Sequence, residues 1–236
     1  MPPLAGIIAA GTGSRLAKSH PGVVKPLLPV AGRPLCHWVV EGLRATGCRE
    51  VTVLTNGRGT GVPPSLKGSF LDISFDFLLA DTASSFESFR LVALRLASKT
   101  DAFMISTVDA LIPPLEVSRF WNCCSASGAE AGLALTGHVD DENPLWVDVD
   151  ASEQATAVGA DSADRRLVTC GLYYLTRRAA QRLPAAADHG RLRDFWTALV
   201  RSGARVQGVT MSKTLDVDRP EDLAAAETFL ATRADR

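Results

Sequence analysis

The stretch Gly6–Leu16, reading GIIAAGTGSRL, carries the residue types that hold a phosphate. An apolar run ends in Gly11-Thr12-Gly13-Ser14, and Arg15 follows at once. Gly11 and Gly13 are expected to take positive φ and to let a ligand approach the backbone with no Cβ in the way. Successive backbone N–H groups in such a turn make an anion nest. Arg15 adds a planar donor fork that is always charged. Alone, the glycines also describe an ordinary strand-to-loop turn beside a surface arginine. The spacing is not the dinucleotide fingerprint, which needs a third glycine opening a helix. Nor is it a P-loop, since no Gly-Lys-Ser/Thr follows.

Other candidates lie far along the chain. The apolar run Ala102–Thr107 leads straight into Val108-Asp109. Ligands of open parallel sheets sit at the carboxyl ends of strands, and a carboxylate there suits magnesium. The plainer alternative is an aspartate capping the helix near Pro113-Pro114. Lys25 is either an exposed lysine before a proline or a cation for a phosphate. Asp216 and Asp218 precede Pro220-Glu221-Asp222, which reads as a helix start with Asp218 as N-cap. Asp140, Asp141, Glu142, Asp148 and Asp150 lack calcium-loop spacing and read as a solvated edge and loop.

These residues need a scaffold. Leu4, Ile7 and Ile8 with small Ala5, Ala9 and Ala10 suit a central strand buried on both faces. Val51–Thr55, the alternating Ile73, Phe75 and Phe77, Ala102–Thr107, Ala131–Thr136 and Val168–Leu175 read as further strands. Gly171 inside the last predicts a bulge or a close approach by a ligand. Pro34 opens a helix with Leu35, Trp38, Val39 and Leu43 inward, closed by Gly47. Ser84 or Ser85 caps another, with Phe86, Phe89, Ala93 and Leu96 inside. Helices also fit Arg177–Leu183, about Leu192–Ser202 and the segment from Pro220 to about Thr232. The segment Gly57–Gly68, with Pro63-Pro64, reads as a loop or irregular insertion. The alternation predicts one three-layer α/β domain around a mostly parallel sheet.

A chain of 236 residues is long enough for one large domain and short for two. Its net charge of −1 argues against a general nucleic-acid binder. No run of about 18 apolar residues occurs, so no membrane span is expected. The N-terminus lacks the charged region of a secretory signal, which fits a mature cytoplasmic protein. The cysteines, Cys36, Cys48, Cys123, Cys124 and Cys170, are odd in number with no C-x-x-C pair, so neither a disulfide framework nor a zinc site is suggested.

The run Gly6–Leu35 resembles the signature of the nucleotidyltransferases that join a nucleoside triphosphate to a phosphorylated small molecule. Their pattern is a strand, A-A-G-x-G-x-R-L, then K-P-L about ten residues on and G-[KR]-P-L close behind. Here it stands as Ala9, Ala10, Gly11, Gly13, Arg15, Leu16, Lys25, Pro26, Leu27, Gly32, Arg33, Pro34 and Leu35. Lys213–Leu223 is similar to the family's late motif W-x-D-V-[DN]-T-P-E-D-L, with Thr214 for the aromatic and Arg219 for the threonine.

The resemblance implies a Rossmann-like three-layer α/β/α fold of the nucleotide-diphospho-sugar transferase type. Residues 1–110 would form its nucleotide half and 111–236 its acceptor half. It implies that Ala9, Ala10, Gly11, Thr12, Gly13, Ser14 and Arg15 hold the nucleotide, with base and ribose near Ser84 and Ser85. Arg15 and Lys25 would supply charge to the reacting phosphates. Mg²⁺ would bind Asp109 and either Asp216 or Asp218, and the acceptor would lie near Gly171 and Lys213. The implied partners are an NTP and a sugar 1-phosphate, a polyol or choline-type phosphate, or a phosphonate. Transfer to a molybdopterin-type cofactor and a non-catalytic nucleotide sensor are the alternatives. A glycosyltransferase fits less well, because Asp109-Ala110-Leu111 is not D-x-D.

Overall fold

The computed structural model describes residues 2–11, 13, 15–16, 22, 24–139, 143–184 and 191–234. The first half of the chain begins with β1 (Leu4–Ala9), then a short hairpin of β2 (Pro29–Val30) and β3 (Arg33–Pro34). Then come α1 (Leu35–Ala45), β4 (Glu50–Thr55), α2 (Val62–Ser69), β5 (Ser74–Leu79), α3 (Ser85–Ala97) and β6 (Ala102–Thr107). The second half holds β7 (Ala110–Leu111), α4 (Pro114–Ser127), β8 (Ala131–Thr136), a hairpin of β9 (Val147–Val149) and β10 (Ala155–Val158), and β11 (Val168–Thr176). The chain continues through α5 (Arg177–Gln181), α6 (Leu192–Arg201), β12 (Val206–Thr210), β13 (Leu215–Asp216) and α7 (Pro220–Ala234).

Seven strands form one sheet in the order β12-β8-β11-β6-β1-β4-β5. All neighbours are parallel except β11, which runs antiparallel to both β6 and β8. β1 is central, as its apolar and small residues require, with Ile8 opposite both Leu54 and Thr107. Its carboxyl end therefore opens beside those of β4 and β6, where Ala10 and Asp109 emerge.

Helices cover both faces. Val40 and Leu43 of α1, Leu66 of α2 and Phe120 of α4 share one core layer. Phe86, Phe89, Val92 and Leu96 of α3 join Ala180 of α5 and Trp196 of α6 in the other. Each of those large α3 side chains is fully buried and contributes roughly 2 kcal/mol. Gly6 lets α3 lie this close, since a Cβ there would come within 2.2 Å of Val92 Cγ1. The expected three-layer α/β/α architecture with a mostly parallel sheet is what forms. The segment expected to be irregular instead contains α2. Its prolines, Pro63 and Pro64, sit in the first turn, where the missing N–H groups would have had no helical partner.

Two connections shape the carboxyl edge of the sheet. β13 pairs with β7, Asp216 opposite Ala110, and Val217 N–H donates to the Asp109 carbonyl at 3.2 Å. That ribbon returns the C-terminal segment to the end of β6. The predicted bulge in β11 lies between Thr169 and Tyr173, with Gly171 at φ +79°. What approaches Gly171 is protein: a Cβ there would sit 2.4 Å from Thr107 Oγ1 and 2.8 Å from Ala110 Cβ.

Gly171→Ala therefore combines left-handed backbone strain with a clash against the end of β6. Gly203, at φ +76°, has open space where a Cβ would go. Urea unfolding should show Gly203→Ala costing about 1 kcal/mol, the backbone term alone. Gly171→Ala should cost at least about 2 kcal/mol more. Equal losses would show that the bulge can move off Thr107.

Candidate active site

The site is built where β1 ends. Ala9 and Ala10 are buried beneath the turn, and Asn56 Nδ2 donates to the Ala10 carbonyl at 2.8 Å. The Asn56 side-chain oxygen accepts from Arg58 N–H at 3.0 Å, so this one buried amide ties the ends of β1 and β4 together. Gly13 takes φ +59°, and a Cβ there would lie 3.1 Å from Lys25 Cβ. Gly11, expected to share that conformation, is not in the positive-φ set. It faces open space instead, with nothing within 4 Å of where a Cβ would go. Thr12 and Ser14 lie outside the described residues.

Lys25 opens a single 3-10 turn, Lys25–Leu27, and is only 8% exposed. Its Nζ donates to Asp109 Oδ2 at 2.6 Å and to Asp218 Oδ1 at 2.5 Å. Arg15 Nη1 stands 3.7 Å from Asp218 Oδ2. Ile8, Gly11, Gly13, Thr107 and Val108 complete the lining of the hollow around this cluster. Burial by itself would lower the Lys25 ammonium, but the two carboxylates outweigh it and raise it above the ordinary lysine value. Burial likewise pushes the Asp109 carboxyl up, yet the Lys25 charge and hydrogen bond, with the Thr107 hydroxyl, hold it below the usual carboxylate range.

Asp218 was expected to cap α7. Its carboxylate turns to Lys25 instead, and Asp222 reaches back to accept from the N–H groups of Asp218 and Arg219 at 2.8 and 2.7 Å. Asp216 lines a second hollow with Thr136, His138, Thr214, Arg219 and Asp222, which shares Arg15 and Asp218 with the first. A third hollow is bounded by Ser85, Thr107, Asn143, Leu145, Thr169, Tyr173, Arg191, Leu192 and Arg193. It meets the first at Thr107 and the second at Thr169. Ser84 is occupied by capping: it accepts from Glu87 N–H at 3.1 Å while Glu87 accepts from Ala83 N–H at 2.7 Å. Lys213 rests over the Phe229 ring at 5.7 Å, and neither it nor Gly171 lines the three hollows.

Among the described residues, no group of three or more His, Cys, Asp or Glu converges as a metal site. Asp109 and Asp218, drawn to one Nζ, are a pair of hard oxygen donors at an open edge. Asp148 and Asp150 hold their own loops, accepting from Ala163 N–H at 2.8 Å and Ser152 N–H at 2.8 Å. Asp140, Asp141 and Glu142 lie outside the described residues. In the sequence Asn56-Gly57 marks only a turn, and Arg191 and Arg193 carry no motif. Their places follow from how β4 and α6 pack.

The family model of the MobA-like NTP transferase domain matches residues 5–206. Over 179 residues the chain is 27% identical to the CMP-5'-(3-aminopropyl)phosphonate synthase of Streptomyces rubellomurinus, covering 74% of this chain and 28% of that protein. A 60-residue stretch is 40% identical to the bifunctional enzyme IspD/IspF of Caulobacter vibrioides, 25% of this chain and 15% of that one. The chain thus spans less than a third of the length of these curated relatives. The inositol-1-phosphate CTP transferase from T. maritima has a TM-score of 0.78 at 17% identity, over 95% of this chain and 93% of that one. A UDP-glucose pyrophosphorylase complexed with UDP-glucose has a TM-score of 0.83 at 15% identity, over 99% and 100%. At these identities the structural likeness shows a shared fold.

The charge cluster makes a pH-dependent prediction. The raised Lys25 contributes stability that is complete below the ordinary lysine pKa and lost only as pH rises through its raised folded value. The lowered Asp109 contributes above the ordinary carboxylate pKa and is lost as pH falls through its lowered folded value. Between those limits the wild-type contribution is flat. In Lys25→Met, burial raises Asp109 against only the Thr107 hydroxyl and a backbone N–H, so stability falls as pH rises. Urea unfolding without added divalent cation should show a loss of about 3 kcal/mol at pH 8 and a clearly smaller one at pH 5. The same loss at both would mean that Lys25 contributes packing alone.

Proposed function

The chain belongs to the MobA-like NTP transferase domain family, and on that premise we propose that it transfers a nucleoside monophosphate from an NTP to a phosphorylated small molecule, releasing pyrophosphate. One observation carries the proposal. Lys25 is held between Asp109 and Asp218 in the wall of a hollow that Gly11 and Gly13 also line.

A phosphate or phosphonate oxygen of the acceptor attacks the α-phosphorus. The bond to the bridging oxygen of the β-phosphate breaks, and pyrophosphate leaves with that electron pair. A phosphomonoester has its second pKa near 6, so the nucleophile is already ionised and no general base is required. The barrier lies in bringing two polyanions together, and the protein's part is positive charge and alignment. Arg15 and the backbone of Gly11–Gly13 take the β- and γ-phosphates. Lys25 has three N–H donors, two of them spent on Asp109 and Asp218, which leaves one for an oxygen at the reacting phosphorus. Residues 1–110 supply the nucleotide side and 111–236 the acceptor side of one continuous sheet.

The donor set fits magnesium, which is bound by one or two carboxylates with phosphate oxygens and water completing its shell. Asp109 and Asp218 would hold it, and when bound it would neutralise phosphate charge. Asp218 is preferred to Asp216 because it shares Lys25 with Asp109 while Asp216 faces the adjoining hollow. The free cysteines suit a reducing compartment, and the cytoplasm is the compartment we assign.

Pyrophosphate release tests this directly. The ribonucleoside triphosphates and dTTP would each be paired with sugar 1-phosphates, polyol phosphates, choline phosphate and phosphonates, with Mg²⁺ and with chelator. Release with one pair should require Mg²⁺. Asp109→Asn, Asp218→Asn and Lys25→Ala should each lower kcat by about 10²–10³. Asp216→Asn should stay within about tenfold of wild type, in keeping with a residue off the reacting phosphates. A chain that binds no triphosphate, or releases no pyrophosphate with any pair, is not this enzyme.

A further inference from the structure

We propose that the third hollow receives the far end of the acceptor and that this end is anionic. Arg191 and Arg193 would recognise a carboxylate or second phosphate remote from the reacting one; the inference rests on the nucleotidyl-transfer reading. Position is the first argument. The hollow opens from Thr107, which it shares with the Lys25 hollow, two residues before Asp109. A molecule whose phosphate lies against Lys25 has this space directly beyond it.

Charge is the second argument. Among the described residues, the lining carries two guanidinium groups, the hydroxyls of Ser85, Thr107, Thr169 and Tyr173, and the Asn143 amide, and no carboxylate. Such a wall favours an anion and disfavours an ammonium or trimethylammonium end. The second hollow differs in kind, since Asp216, Asp218 and Asp222 there offset Arg15 and Arg219. Leu145 and Leu192 give the third hollow apolar surface for a carbon frame.

Preorganisation is the third argument. Arg193 is half-buried, and its Nη2 donates to the Asn143 carbonyl at 2.7 Å, which fixes the guanidinium and leaves its other N–H groups to be used. The helix bearing it is anchored two and three residues on by buried Phe195 and Trp196. Trp196 stacks on Tyr173, itself a wall of the hollow, with ring centroids 5.3 Å apart. Arg193 is therefore set by the core, and it needs little ordering when an anion binds; Arg191 stands exposed at the start of the same helix.

Matched acceptors test it. One series shares a sugar ring: glucose 1-phosphate, glucuronic acid 1-phosphate and glucose 1,6-bisphosphate. The other shares a three-carbon chain: 3-hydroxypropylphosphonate, 3-aminopropylphosphonate and 3-phosphonopropionate. In whichever series turns over, the doubly anionic members should exceed the neutral one by roughly tenfold or more in kcat/KM, through acceptor KM. The carboxylate and bisphosphate arms separate the two anions. Arg191→Ala/Arg193→Ala should erase that preference and leave the NTP KM unchanged. Arg191→Glu should move the preference toward the aminopropyl compound. Turnover that favours the neutral or ammonium end, or a preference that survives the double variant, overturns this inference and leaves nucleotidyl transfer standing. Silence with every acceptor overturns both.

Discussion

Everything at the carboxyl edge of the sheet answers to one buried ammonium. Lys25 binds carboxylates 84 and 193 residues away in the chain. Without a cation between them, Asp109 and Asp218 would repel across a partly desolvated gap, and Asp109 would protonate. With it, three charges are held in fixed relation. The neighbouring structure serves that relation. Gly13 makes room for the Lys25 stem, β6 ends two residues before Asp109, and the β7–β13 ribbon delivers Asp218. Asp222 takes over the capping that Asp218 would otherwise provide.

What could be seen beforehand divides along the range of the interactions involved. β1, the turn after it, Lys25 and Asp109 are local patterns: an apolar run, glycines, a cation, and an acid after a strand. Where Asp216 and Asp218 come to lie is not local. It follows from a two-residue pairing with Ala110 and Leu111, and a ribbon that short leaves no periodicity to read. Helix α2 was hidden because proline in a first turn has the same composition as proline in a loop. Gly11 and Gly13 look alike in sequence, yet only Gly13 is pressed by a neighbour. Arg191 and Arg193 carry no signal, since nothing in a surface arginine tells which strand its helix will return beside.

The antiparallel strand gives the edge its shape. β11 lies between β6 and β8 and meets both in the opposite sense. Its bulge at Gly171 seats against Thr107, so the strand end that presents Asp109 also forms the rim of the third hollow. The side of Gly171 where a Cβ would stand is filled by Thr107 and Ala110, and Thr107 both hydrogen-bonds Asp109 and lines two of the hollows. The arrangement sets Lys25 and Arg15 against Asp109 and Asp218, while Arg191 and Arg193 line the third hollow with no carboxylate among its described residues.

The state of Lys25 also decides where proton chemistry can enter. Its ammonium is raised above the ordinary lysine value and Asp109 is held below the ordinary carboxylate value, so neither changes charge near neutrality. The protein's contribution to the edge is then a fixed field. In the reaction proposed, the titrating partner would be the acceptor, whose phosphate loses its second proton near pH 6. A fixed field would favour the fully ionised nucleophile, so binding and activation of the acceptor would become one electrostatic event. No basic side chain has to be held at an intermediate pKa, which is why a charge-paired lysine serves this edge better than a histidine would.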